Sequence, residues 1–232
     1  IVQGWGMTET SPVIALGEPP RAAEPGDVEW RLKAGRIIPG VECRVVTDEG
    51  VVAPWDGETV GELEVRGPWV TGTYLEGEGG TFHDGWLRTG DVGTIDDHGF
   101  VEITDRLKDM VKSGGEWIPS VVVEGELAAH RGVAEAAVIA VPDDRWGERP
   151  AAVIVPAGTD DGGIPGSVGQ ALGVAAPAPA ELRAWLEDRV VRWWVPDRWA
   201  YLPRLPRTGA GKVDKKLLRA MYARGELAAV EG

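Results

Sequence analysis

An α+β fold is what this sequence predicts, with a β-rich first part followed by a smaller part of about three strands and three helices. Three observations carry the prediction. Up to Thr104 the chain runs in short alternating segments broken by turns, as in Val60–Arg66, where Leu63 and Val65 alternate with Glu62, Glu64 and Arg66. Later segments follow a helical period instead, as in Glu181–Val191 with Leu182, Trp185, Leu186 and Val190 on one face. Between the two stands Asp105–Glu116, which places five charged side chains in its first eight positions and then supplies Ser113-Gly114-Gly115. A junction of this composition divides the chain into expected domains at 1–107 and 108–232.

In chain order, Ile1-Val2 reads as the end of a strand entered from upstream, which with the missing initiator Met suggests a fragment lacking its N-terminal portion. A dense polar cluster, Gly4-Trp5-Gly6-Met7-Thr8-Glu9-Thr10-Ser11-Pro12, comes next. Arg21–Val28 is expected to be loop. Ile37–Thr47 starts with a turn and continues as a strand with Val41, Cys43 and Val45 on one face. A turn at Asp48-Glu49-Gly50, a loop over Gly77–Asp84 and a hairpin turning at Asp96-Asp97-His98-Gly99 and returning through Phe100–Thr104 complete a small antiparallel β unit.

Beyond the junction, Ser120 is placed as N-cap of a helix running to about His130, with Val123 and Leu127 facing inward. Val133–Val141 and Ala151–Val155 are continuous apolar runs of the kind buried on both faces of a sheet. Pro156–Ala180 is rich in Gly, Ala and Pro without a period and reads as a surface insertion. Trp199–Leu202 is expected to be a strand, and Asp214 to cap a last helix whose Leu217, Leu218 and Met221 face inward.

Composition narrows the function classes. With 37 acidic against 24 basic residues the formal charge is −13, which argues against a nucleic-acid surface, where clustered cations must displace counterions. Cys43 is the single cysteine, so no intrachain disulfide forms. No apolar run approaches the roughly 18 residues of a transmembrane helix, and the start carries no signal pattern. The expected location is cytoplasmic, compatible with peripheral contact at a membrane.

Three clusters beside the junction combine side chains suited to a nucleotide. Trp5, Thr8 and Glu9 offer a π surface, a hydroxyl and a hard carboxylate, which a purine, a phosphate oxygen and a magnesium ion respectively require. Asp91 follows Thr89-Gly90 and can accept both hydroxyls of a ribose. Lys212 stands on a glycine-flanked loop from which a point charge can move toward a developing anion. Each also has a plain structural alternative: Trp5 as packed core, Glu9 as a surface carboxylate, Asp91 as a turn residue and Lys212 as a solvated loop lysine.

Their order and combination decide the matter. Gly4 to Pro12, Gly85-Trp86-Leu87-Arg88-Thr89-Gly90-Asp91, Asp105-Arg106-Leu107-Lys108-Asp109 with Ser113-Gly114-Gly115-Glu116, and Pro206-Arg207-Thr208-Gly209 with Gly211-Lys212 together resemble the C-terminal half of the adenylate-forming (AMP-binding) enzymes. Val141-Pro142-Asp143, Trp146-Gly147-Glu148-Arg149-Pro150 and Trp193-Trp194-Val195-Pro196 look like the fatty-acyl-CoA synthetase branch. The resemblance implies two domains, the C-terminal portion of a large AMP-binding domain and a small mobile one. It also implies a fatty acid–CoA ligase reaction with ATP, magnesium and coenzyme A: acid and ATP give an acyl-adenylate and pyrophosphate, and the thiol of CoA then displaces AMP. By position, Trp5, Gly6, Thr8, Asp91, Arg106 and Lys212 would bind the nucleotide, Glu9 would hold the metal, and Lys212, Thr8 and Glu9 would serve the chemistry. Lys108 would be the hinge, and Ser113, Gly114 and Gly115 would border the CoA thiol path.

The family's glycine- and Ser/Thr-rich phosphate loop belongs upstream of Gly4, so the 232-residue fragment by itself is expected not to complete adenylation. An aryl-CoA ligase or a peptide-synthetase adenylation domain is the nearest alternative, and a non-catalytic nucleotide-binding or interaction fragment is the alternative of another class.

Overall fold

The computed structural model describes residues 2–20, 29–74, 81–158, 176–228 and 230–231. The loop expected at 21–28, the first half of that at 77–84 and the centre of the 156–180 insertion lie outside the described residues. Two compact units, Ile1–Lys108 and Asp109–Gly232, make up the chain.

The first unit is an antiparallel sheet. Its strands are β1 (Gly4–Trp5), β2 (Ala15–Leu16), β3 (Gly35–Ile37), β4 (Glu42–Val46), β5 (Gly61–Arg66), β6 (Phe82–His83), β7 (Trp86–Ile95) and β8 (Phe100–Arg106), with a four-residue helix α1 (Glu29–Leu32) before β3. They lie in the order β1-β2-β3-β8-β7-β5-β4, with β6 added to β7. Alternation works here as expected: Val41, Cys43, Val45, Leu63 and Val65 are buried in one core with Trp5, Ile14, Leu87 and Val101. Burial pushes the Cys43 thiol up to about 12, so no thiolate is present near neutral pH.

The opposite face of this sheet corrects one expectation. Register sets Glu42 opposite Arg66 and Arg44 opposite Glu64, each an ion pair, while Arg88 pairs with Glu62. Both the Arg44 and Arg66 guanidinium groups lie over the Trp86 ring, 4.4 Å from its centroid. Glu64, expected on the solvent side of a half-buried strand, is therefore buried, because neighbouring strands cover it with long cationic side chains. Phe82–His83 also becomes a strand where a loop was expected, since it pairs with the start of β7.

The β7–β8 hairpin turns on Asp96. Its carboxylate accepts from the His98 and Phe100 amides, both at 2.9 Å, and from Lys33 Nζ at 2.6 Å. Burial alone would raise this acid, but the Lys33 bond and the Phe100 and His98 N–H groups outweigh it and hold the carboxyl below its ordinary value. A depressed folded-state value means stability that is present above the unfolded value, about 3.9, and lost as pH falls through the folded one. Asp96→Asn should accordingly cost about 1 kcal/mol at neutral pH, with the difference from wild type shrinking below pH ~4. Urea unfolding at pH 7 and pH 3 checks this; a pH-independent difference would refute it.

The second unit holds a six-stranded sheet, against the three or so strands expected. Its elements are β9 (Val111–Ser113), β10 (Glu116–Ile118), α2 (Ser120–Ala128), β11 (Val133–Asp143), β12 (Gly147–Pro156), α3 (Pro179–Glu187), β13 (Arg198–Tyr201), α4 (Lys215–Ala223) and β14 (Val230–Glu231). The additional strands β9, β10 and β14 are two or three residues long, too short to show a period. Central β12 pairs antiparallel with β11 and β9 and parallel with β13.

Apolar clusters lie on both faces of this sheet, which explains the two continuous apolar runs. One gathers Val123, Leu127, Leu182, Leu186 and Trp199, the other Ile139, Val153, Leu205 and Leu218. Asp214 caps α4 as expected, accepting from the Leu217 amide at 2.9 Å. Two details differ. Ser120 is the first residue of α2 and Pro119 occupies the cap; the Ser120 hydroxyl instead meets Lys215 Nζ at 2.6 Å. Leu217 is exposed while its neighbour Leu218 is fully buried, because one helical step turns the side chain by about 100° away from the sheet. Among the described residues no helix is long and apolar enough to cross a membrane.

Candidate active site

In the first unit the nucleotide candidates converge on one carboxylate. β7 and β8 are registered so that Asp91 lies opposite Arg106, and Arg106 Nε sits 3.2 Å from Asp91 Oδ1. The Trp5 indole N–H donates to Asp91 Oδ2 at 2.8 Å across the sheet. Thr89 Oγ1 accepts from the Asp91 amide at 3.1 Å and donates to the Leu63 carbonyl at 2.7 Å, fixing the backbone at this point. Gly90 takes φ +71°, a conformation that favours glycine, and its carbonyl accepts from the Leu107 amide. Asp91 is thus a buried carboxylate with each oxygen oriented by one donor, and each oxygen keeps lone-pair capacity for another. Trp5 is only 6% exposed and packs in the core, so in this chain its polar edge orients Asp91 and little of its ring face is open.

The loop after Trp5 is held by its own atoms. Gly6 passes so close to Pro12 that a β-carbon would fall 1.8 Å from the Pro12 carbonyl oxygen, which excludes any other residue. Thr10 Oγ1 both donates to the Met7 carbonyl and accepts from the Met7 amide, closing a 3-10 turn over Thr8–Thr10. The turn leaves Thr8 exposed and Glu9 half-buried. Tyr74 donates to Glu9 Oε1 at 2.7 Å.

The second unit carries the other candidates. Lys212 is exposed, on a loop closed by a bridge between Arg207 and Val213 and by the Thr208 amide donating to the Lys212 carbonyl at 2.8 Å. The backbone is therefore fixed while the ammonium group keeps its reach. Gly114 and Gly115, at φ +61° and +93°, form the two-residue turn between β9 and β10. The Gly114 amide donates to the Trp146 carbonyl at 2.8 Å, and a β-carbon on Gly114 would lie 2.9 Å from the Trp146 ring. This hairpin forms one rim of a cleft of about 440 Å³ whose other lining residues include Trp146, Arg149, Arg192 and Trp193. Lys108 is the exposed last residue of the first unit.

A family model described as AMP-binding enzyme matches residues 1–75, and one described as AMP-binding enzyme C-terminal domain matches residues 122–212. The chain belongs to the AMP-binding enzyme family. It is 42% identical over 229 residues to a long-chain-fatty-acid-CoA ligase of Thermus thermophilus, covering 95% of this chain and 39% of the relative. It is 40% identical over 226 residues to a 3-methylmercaptopropionyl-CoA ligase of Ruegeria pomeroyi, again 95% of this chain and 39% of the relative. Among solved structures, o-succinylbenzoate CoA synthetase from Bacillus subtilis, in complex with its acyl-adenylate intermediate, superposes with a TM-score of 0.72. That match has 31% identity and covers 94% of this chain and 40% of the other. The chain therefore spans about two-fifths of the length of these relatives.

Within this AMP-binding family chain, the matched stretches contain Trp5, Gly6, Thr8 and Glu9 at one end and Lys212 at the other. Asp91, Arg106, Lys108 and Ser113–Gly115 fall between them, so their roles rest on motif order and geometry. Sequence reasoning missed Tyr74 as the partner of Glu9, and Arg149, Arg183 and Arg192 as the cations of the cleft. A signal for Arg149 was present: an arginine adjoining the apolar run of a central strand has to be buried, and a buried guanidinium has to be paired.

Proposed function

We propose that this chain is part of an AMP-forming acid–thiol ligase acting on a fatty acid with ATP and coenzyme A. The observation that carries the reading is the Asp91 carboxylate, held by Trp5 and Arg106 at a glycine turn, a geometry suited to the two hydroxyls of a ribose. Arg106 would assist at the sugar, and Trp5 would hold Asp91 while lending its edge to the adenine. In the first step a carboxylate oxygen attacks the α-phosphorus and pyrophosphate leaves, with Thr8 donating to a phosphate oxygen and Lys212 meeting the charge that develops there. Glu9 would bind magnesium. Among the described residues no group of three His, Cys, Asp or Glu side chains could hold a metal. Phosphate oxygens, water and one carboxylate are nonetheless a donor set that magnesium accepts. The ion would supply charge neutralisation on the phosphates.

In the second step the thiol sulfur attacks the acyl carbon and AMP leaves. Gly115, with open space where a side chain would stand, leaves room for a thiol arm, and the exposed Arg192 and the indoles of the adjoining cleft suit a phosphate-bearing adenine nucleotide. This supports coenzyme A over a carrier protein as the thiol. Lys108 would absorb the backbone change that lets the second unit serve the two steps in turn.

The test is the protein expressed from its complete coding sequence, assayed with fatty, aryl and short-chain acids for pyrophosphate and AMP release and for thioester. Acid-dependent pyrophosphate release, CoA-dependent AMP release and the highest kcat/KM on fatty acids are expected. A preference for aryl acids would replace the substrate class, and AMP binding without turnover on any acid would leave a nucleotide-binding module in place of a ligase.

A further inference from the structure

The cleft beside the Gly114-Gly115 hairpin contains two kinds of arginine. Arg149 is 8% exposed, and four of its donors are spent inside the protein. Nε–H goes to Asp197, one Nη1–H to Ser113 Oγ at 3.2 Å, another to the Trp193 carbonyl at 2.9 Å, and Nη2–H to the Val195 carbonyl at 3.3 Å. A guanidinium has five N–H groups, so about one is left over. Of the two other arginines on the cleft, Arg183 is half-buried with Nη2 3.6 Å from Asp197 Oδ1, and Arg192 is exposed.

The four bonds of Arg149 join two separate walls. Ser113 is the last residue of β9 and leads into the hairpin; residues 193–197 run between α3 and β13 on the other side. Arg149 itself sits on β12, which pairs with β9 through Gly147 opposite Ser113 and with β13 through Ala151 opposite Arg198. One side chain on the central strand thus spans from the hairpin to the opposite wall. A buried cation satisfied on both sides in this way is rigid, because moving either wall would leave it unpaired.

We infer that Arg149 is a positioning residue for the thioester step: it sets the spacing between the Gly114-Gly115 hairpin and residues 193–197 without itself contacting the thiol substrate. Arg192 is the cation available to that substrate's phosphates. The inference rests on the reading of this cleft as the thiol site.

Coenzyme A and pantetheine, which has the same thiol arm and no phosphate, separate the two roles. In the protein from its complete coding sequence, Arg149→Met should raise the KM for both thiols by the same factor, roughly tenfold. Pyrophosphate release in the absence of thiol should change less than about twofold, and Arg149→Lys should recover part of the loss. Arg192→Ala should raise the KM for coenzyme A alone. Ser113→Ala, which removes a single hydroxyl and spares the fold, should shift both thiols in the direction of Arg149→Met by a smaller factor. A rise confined to coenzyme A in Arg149→Met would make Arg149 a phosphate ligand, and an equal fall in adenylation would make it a general support of the fold. Either result, or unchanged thiol KM in both the Arg149 and Ser113 variants, overturns the proposal. Wild-type protein that forms acyl-adenylate but transfers it to neither thiol would instead overturn the reading of the cleft.

Discussion

Replacing Lys212 by alanine should lower the rate of acyl-adenylate formation by about 10² to 10³, equivalent to about 3–4 kcal/mol of lost transition-state stabilisation. The expectation follows from where the residue is held. Its backbone is fixed by the 207–213 bridge and by the Thr208 amide, so the ammonium group starts from one place, yet the side chain is exposed. The variant should therefore unfold within about 0.5 kcal/mol of wild type, the usual range for surface substitutions. Thioester formation from supplied acyl-adenylate should be nearly unaffected, because Lys212 is proposed to serve the first step only, the backbone change at Lys108 letting the second unit present other residues in the second. Pyrophosphate exchange, single-turnover thioester formation and a thermal melt measure the three quantities. Equal loss in both half-reactions would remove Lys212 from its assigned place in the first.

The second large effect is expected at the junction. Lys108→Pro fixes φ at one position and restricts Leu107 before it. The structural cost should be small, since among the described residues the Lys108 amide takes part in no hydrogen bond. The functional cost should be uneven: one half-reaction should fall roughly tenfold or more relative to the other, because a domain held in one orientation misplaces the groups needed in the other. Measuring both half-reactions in the same preparation gives the ratio. A ratio equal to that of wild type would leave Lys108 as an ordinary turn residue.

Much of this molecule is legible before any coordinates exist, and the reason is the range over which the signals act. Strand β5 shows in the alternation of Leu63 and Val65 with charged residues, and the α4 cap in Asp214 followed by its helix; both are settled within a few residues of backbone. The left-handed turns at Gly90, Gly114 and Gly211 likewise follow from what glycine alone tolerates. Asp91, Arg106, Thr8, Glu9 and Lys212 could each be named from side-chain chemistry and motif order. What they touch could not. Asp91 meets Trp5 across 86 positions of sequence, and Arg149 meets Asp197 across 48 and Ser113 across 36. Those distances close only when strand order and register are set, and a register is decided by the packing of whole sheet faces rather than by any local pattern. The same cause buried Glu64 beneath Arg44 and Arg88 of the neighbouring strands and drew the charged junction into the β9–β10 hairpin. Sequence alone determined which groups are candidates for chemistry here. Tertiary structure alone decided that Trp5 steadies a carboxylate and that Arg149 spans a cleft, because partner choice depends on a topology that no single stretch of the chain encodes.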